Sequence, residues 1–171
     1  SSFVQLAWAN LLSRYSGERH VVYGSTVSGR SHPVLGIDRM VGLLINTLPM
    51  AIEIDGKASI GAHLKQVHQL VQAVNHFSYC HLSDVRKVSS VNSGAPLFNV
   101  LFVFENYPVD DIVDSDGLGI EDIQSIGKTN YPLTLVAYLS DGGLQLKLDY
   151  DKACFEDDVI ARLLDHLSRF M

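Results

Sequence analysis

Cysteine is close to absent. Cys80 and Cys154 are the only two in 171 residues. Their wide separation matches neither a disulfide framework nor a metal-ligand spacing, so they read as small packed residues in a reducing compartment. Positive charge is also scarce. Against 19 Asp and Glu there are 13 Lys and Arg, for a formal charge of −6, and Arg86-Lys87 is the one adjacent basic pair. With no cluster to displace counterions from phosphates, nucleic acid and anionic membrane are excluded as partners. No stretch approaches the roughly 18 consecutive apolar residues of a membrane span. The first residues lack the basic-then-apolar layout of a signal peptide, which points to the cytoplasm. There is no internal repeat and no low-complexity tract.

What is present is apolar. Hydrophobic residues make up 47% and charged residues 19%, enough to bury one sizeable core, so residues 1–171 are expected to form a single unit. In SSFVQLAWANLLSRYSG, residues Phe3, Leu6, Ala7, Ala9, Leu11 and Leu12 recur mainly at helical spacing. Ser2 and Gln5 match a capping box there, and Gly17 a stop. HVVYGSTVSG reads as a strand, followed by the turn-forming SGRSHPVLG. A helical turn is expected over Ile37 to Val41, then a strand in LPMAIEI ended by Asp55-Gly56. Ser59 to His76 carries Ile60, Leu64, Val67, Leu70, Val71 and Val74 on one stripe, the pattern of a long amphipathic helix. A short helix near Ser83 to Val88 precedes FNVLFVFEN, whose continuous apolar run predicts a central strand covered on both faces. GIEDIQSI, YPLTLVAYL and LQLKLDYD read as further strands, with Asp141-Gly142-Gly143 as a hairpin turn between the last two. Phe155 to Met171 closes as a helix. This order predicts an α/β or α+β sandwich with a mixed sheet.

Chemistry read from motifs is thin. GSTVSGRS, Gly24 to Ser31, follows a strand and resembles a phosphate-binding loop with Arg30 in place of lysine. Pro33 and Gly36 argue against the helix that such a loop must enter, so a Ser-Gly turn is the better reading. The seven histidines form no array: His63 and His68 fall on different helix faces, while His76 and His81 flank NHFSYCHLSD with Tyr79, Cys80 and Asp84. A Cys80 nucleophile with a histidine base is conceivable there, and hydrogen-bonded loop histidines are the better account. Asp110, Asp111, Asp114 and Asp116 form an acidic loop without the EF-hand pattern, best read as solvated. No metal site is expected. GLLINTLPM places Asn46 and Thr47 inside an apolar run, and buried polar groups need partners.

LAWANLLSRYSGERHVVYGSTVSGR, GIDRMVGLLINTLPM, HFSYCHLSDV, APLFNVLFVFENYPVD and NYPLTLVAYL occur in the order seen in the C-terminal half of condensation domains of nonribosomal peptide synthetases, which the chain resembles over nearly its whole length. The resemblance implies a lobe similar to chloramphenicol acetyltransferase. Two such halves would form a V around a tunnel, entered from opposite mouths by donor and acceptor thioesters. The phosphopantetheine arms of two carrier proteins bring these in, and the acceptor amine attacks the donor carbonyl. The resemblance implies no cofactor bound directly by this chain. The family's catalytic motif, His-His-x-x-x-Asp-Gly, belongs to the N-terminal half, and no His-His pair exists in this sequence. No catalytic residue is therefore expected here, and the chain alone is expected to be inactive.

By the same resemblance, Ser28, Gly29 and Arg30 match the SGR turn, and Gly42, Asn46 and Thr47 match GxxxNT, both near the cleft between halves. Asn46 and Thr47 then either brace the tunnel wall or only fix a turn before the Leu48 strand. NHFSYCHLSD loses acidic and proline positions common in the family, and SSVNSGAPLF lacks its arginines, which bears on substrate class rather than fold. Two alternatives belong beside this reading: a noncatalytic platform binding carrier proteins, and half of a related epimerisation domain, which LFVFENYPVD fits less well. A lobe without its mate is also expected to expose apolar surface and to self-associate.

Overall fold

The structure, a computed structural model, describes residues 1–92, 94–105, 129–140 and 142–171. Helix α1 spans Ser2–Ser16 and strand β1 His20–Val27. A single 3₁₀ turn covers Ile37–Arg39, and β2 spans Asn46–Glu53. Helices α2, Ile60–His76, and α3, Leu82–Val88, lead to β3, Val100–Glu105. Strands β4, Leu133–Ser140, and β5, Gly143–Tyr150, precede α4, Asp157–Arg169.

The sheet order is β2-β1-β3-β4-β5. The outer pairs β1–β2 and β4–β5 are antiparallel, whereas β3 runs parallel to both its neighbours. The expected mixed sheet is thus formed, with the FNVLFVFEN strand at its centre. Its cover is incomplete: Leu101 and Phe102 are buried, and Val103, Phe104 and Glu105 only half-buried.

The core lies between one sheet face and a helical layer, with α2 packed on β2, α1 on β1 and α4 on β5. Helix α1 sits between the other two and is enclosed nearly all round, with Val4, Leu6, Trp8, Ala9 and Leu11 buried. The end helix α4 buries only Ile160, Leu163 and Leu167, one stripe at helical spacing. On β1, Val21, Tyr23, Ser25 and Val27 are buried, the period of two that points alternate residues into the core. Tyr23 meets Phe102 edge-on at a centroid distance of 6.2 Å.

Three expectations need correction. Ser2 and Gln5 form no capping box: Ser1 is the N-cap, without a side-chain bond. Gln5 is buried and accepts a hydrogen bond from the Tyr23 hydroxyl at 3.0 Å, because a phenol enclosed in a core needs an acceptor. Ile60 leaves the buried stripe of α2 and is 75% exposed, standing with Phe3 and Ile54 at the rim of a groove between α1 and the β2–α2 turn. The second strand begins at Asn46, two residues before the expected start, with Asn46 paired to Val27 and Thr47 to Thr26.

The hairpin closes between paired Ser140 and Gly143, and Gly143 adopts φ 98°, a conformation glycine supplies without strain. GIEDIQSI and the acidic loop with Asp110, Asp111, Asp114 and Asp116 lie outside the described residues, as does Asp141. Among the described residues, no helix is long and apolar enough to cross a membrane.

Candidate functional site

Strand β1 ends at Val27 and the chain turns through Ser28, Gly29 and Arg30. Gly29 holds φ 68°, and a Cβ there would run into the Leu44 carbonyl oxygen. Only glycine lets these two backbone segments approach so closely. The Arg30 backbone N–H donates to the Ser28 hydroxyl at 3.4 Å. The Arg30 guanidinium donates to the carbonyls of Ile37 at 2.7 Å and Met40 at 3.1 Å, tying the loop's 3₁₀ turn back to β1. The loop does not run into a helix that could face a phosphate, which leaves Gly24 to Ser31 as the Ser-Gly turn.

At the start of β2, Asn46 uses its whole amide. Its Nδ2 donates to the carbonyls of Ser78 at 2.9 Å and Cys80 at 2.7 Å, while Oδ1 accepts from the Thr47 N–H at 2.8 Å. One side chain thus fastens the sheet edge to the segment after α2. That segment presents buried Ser78, whose hydroxyl lies 2.7 Å from His32 Nε2, and Tyr79, whose ring meets His32 at 5.2 Å and 71°.

These elements enclose a cavity of about 610 Å³, lined among others by Gly29, His32, Leu44, Asn46, Ser78 and Tyr79. Of the six residues singled out by sequence, Gly29 and Asn46 reach this cavity. Ser28 faces a neighbouring pocket, while Arg30, Gly42 and Thr47 line neither. Nothing lies within 4 Å of where a Gly42 Cβ would sit, so local packing does not require glycine there.

His32, Ser78 and Tyr79 were not foreseen as a group. The cue available was a histidine directly after the SGR turn and a serine in a His-rich loop, and only the tertiary fold joins them across 46 residues. The conceived Cys80–histidine pair is not formed: both thiols are free, His76 packs edge-on to Phe77, and among the described residues no histidine hydrogen-bonds Cys80. Nor, among the described residues, does a carboxylate orient His32, so the His32–Ser78 contact is a hydrogen bond in a wall and not a catalytic triad. Among the described residues no group of three or more His, Cys, Asp or Glu is placed to hold a metal.

The site is therefore a half-open cavity with apolar and polar walls. The Condensation domain family matches residues 1–171. A linear gramicidin synthase of Brevibacillus parabrevis is 36% identical over 170 residues, covering 98% of this chain and 2% of that protein. Chondramide synthase of Chondromyces crocatus is 39% identical over 152 residues, covering 88% of this chain and 4% of that protein. Among solved structures, the starter condensation domain of rhizomide synthetase matches with TM-score 0.68 and 19% identity, over 99% of this chain and 39% of that one. The crystal structure of a protein called CT matches with TM-score 0.81 and 18% identity over the same shares. These likenesses show the fold, a chloramphenicol acetyltransferase-like lobe, and the chain spans only a few per cent of its curated relatives. A family match that runs from the first residue to the last places the chain among the condensation domains of nonribosomal peptide synthetases.

Proposed function

We propose that this chain is the C-terminal lobe of a peptide-bond-forming condensation domain, completed by an N-terminal half that carries the His-His-x-x-x-Asp-Gly motif. One observation carries the reading: the family match fills all of this chain yet the chain covers about 40% of the solved starter condensation domain of rhizomide synthetase. In the reaction, the amine of the acceptor aminoacyl thioester attacks the donor thioester carbonyl. An amide bond forms, the donor's carbonyl–sulfur bond breaks, and the amine's proton passes by way of a base in the other half to the departing phosphopantetheine sulfur, which leaves as the thiol. This lobe contributes the wall built on Gly29, Asn46 and the 78–80 segment, with Ser28, Arg30, Gly42 and Thr47 supporting it, and part of the surface on which the two carriers dock. Synthesis takes place in the cytoplasm.

Incubating the parent protein with donor-loaded and acceptor-loaded carriers tests this directly. Dipeptidyl thioester on the acceptor carrier, detected by mass spectrometry, is the expected product; carriers that keep their original acyl groups contradict it. Asn46→Ala in the same protein, with folding verified, is expected to slow product formation, and a wild-type rate removes the wall role.

A further inference from the structure

The cavity of about 610 Å³ has two walls built from separate stretches of chain. The connection between β1 and β2 contributes Gly29 and His32, and the segment between α2 and α3 contributes Ser78 and Tyr79. This second wall is fixed from behind, because Asn46 at the start of β2 donates to the carbonyls of Ser78 and Cys80. The first wall is held differently. Its two ends meet at a neck, where Gly29 lies against the Leu44 carbonyl, and Arg30 closes residues 30–40 into a ring by donating to the carbonyls of Ile37 and Met40. A compact loop joined to the fold at a narrow neck keeps its own shape and can still swing as one piece. Among the described residues no backbone hydrogen bond ties it to the facing wall.

His32 crosses that gap. Its Nε2 lies 2.7 Å from the Ser78 hydroxyl, and its ring meets Tyr79 edge-on at a centroid distance of 5.2 Å. Ser78 is only 4% exposed, so water competes weakly for the bond. The histidine is also prepared for the contact. Pro33 follows it and holds the His32 backbone extended, while the Val34 N–H donates back to the His32 carbonyl at 2.8 Å, a tight turn around the proline. A residue held in this way gives up little freedom when its bond forms. We infer that His32 is a positioning residue, a clasp that joins the β1–β2 loop to Ser78 and sets the width of the cavity between them. Resting on the function proposed above, the clasp keeps the two walls at the spacing in which the reacting thioesters meet, and a released loop leaves fewer molecules in productive geometry. The net worth of one hydrogen bond limits the shift between clasped and released states to about two- to tenfold.

Backbone relaxation dispersion on the full isotopically labelled condensation domain reads the clasp without turnover. Ser78→Ala, which removes only a hydroxyl, and His32→Ala are each expected to bring millisecond exchange to the amides of residues 34–43 and not to those of β1. Peptide-bond formation should slow about two- to tenfold in either variant, with the double variant no slower than His32→Ala alone, since the same bond is lost in both. His32→Gln, whose amide nitrogen stands as many bonds from Cβ as Nε2 does, should return both readouts toward wild type. Quiet loop amides in the folded alanine variants, losses that add in the double variant, or a glutamine no better than alanine overturn the inference. The two readings separate cleanly. A domain that makes no peptide bond refutes the proposed function, and its loop amides still decide whether the clasp exists; a domain that makes the bond equally fast in every variant keeps the function and removes the positioning role.

Discussion

Asn46 makes three hydrogen bonds from one half-buried side chain, and their directions matter more than their number. Asn46→Ala is expected to lower stability by about 3 kcal/mol, from roughly 1 kcal/mol for each bond lost, read from urea denaturation of the condensation domain. Asn46→Asp should be worse than alanine, since a carboxylate oxygen would then face the carbonyls of Ser78 and Cys80 in place of the donor they now share. A milder aspartate variant would mean that these bonds do little. The buried Tyr23–Gln5 pair makes a second case. Burial pushes the Tyr23 phenol well above its ordinary pKa, so it stays a neutral donor to Gln5. Tyr23→Phe strands the Gln5 oxygen and should cost about 1–3 kcal/mol. Adding Gln5→Leu should recover most of that loss, because replacing both partners by apolar groups is close to neutral. Two additive losses in the double variant would contradict this account.

Helix α4 shows how an element is held at its end. Its first turn carries Asp157 and Asp158, which suit the positive end of the helix dipole. The Tyr150 hydroxyl donates to Asp157 at 2.6 Å and the Lys152 ammonium at 3.1 Å. These bonds, Tyr150 first, hold the Asp157 carboxyl below its usual range. A folded pKa below the unfolded one stabilises the fold fully above the unfolded value of about 3.9, and this contribution disappears as the pH falls through the lower folded value. Asp157→Asn should therefore lower the melting temperature at neutral pH, and the gap to wild type should close in strong acid. A gap that persists below that range would assign the effect to something other than the charge. Elements with a long periodic signal were legible in the sequence: α1, α2, α4, β3 and the hairpin all form, with ends shifted by a residue or two. The failures came where a tertiary partner outbid a local one, as when Gln5 left its capping role for Tyr23 and Asn46 joined β2 instead of preceding it. The His32–Ser78 contact was illegible for the same reason, since no local pattern joins residues from separate loops.

Taken whole, the molecule is a two-layer lobe with a closed core and an unusually apolar loop. Leu35, Val41 and Leu43 between β1 and β2 are 98%, 104% and 92% exposed, although Arg30 and Gly29 anchor that loop at its base. Apolar side chains held out in this way favour association with another surface. The isolated chain is expected to self-associate with rising concentration in light scattering, and Val41→Ser with Leu43→Ser to reduce it; concentration-independent monomer would contradict this. The motifs quoted from the sequence fall in and around this region, but its division into a 610 Å³ cavity lined by Gly29 and a 240 Å³ pocket lined by Ser28 depends on packing between distant segments.

The most direct measurement mixes this chain with a matching N-terminal half and two loaded carriers, with each half alone as control. Dipeptidyl thioester should appear only in the mixture. Product from this chain by itself, or a folded complex of both halves that makes none, would contradict the account.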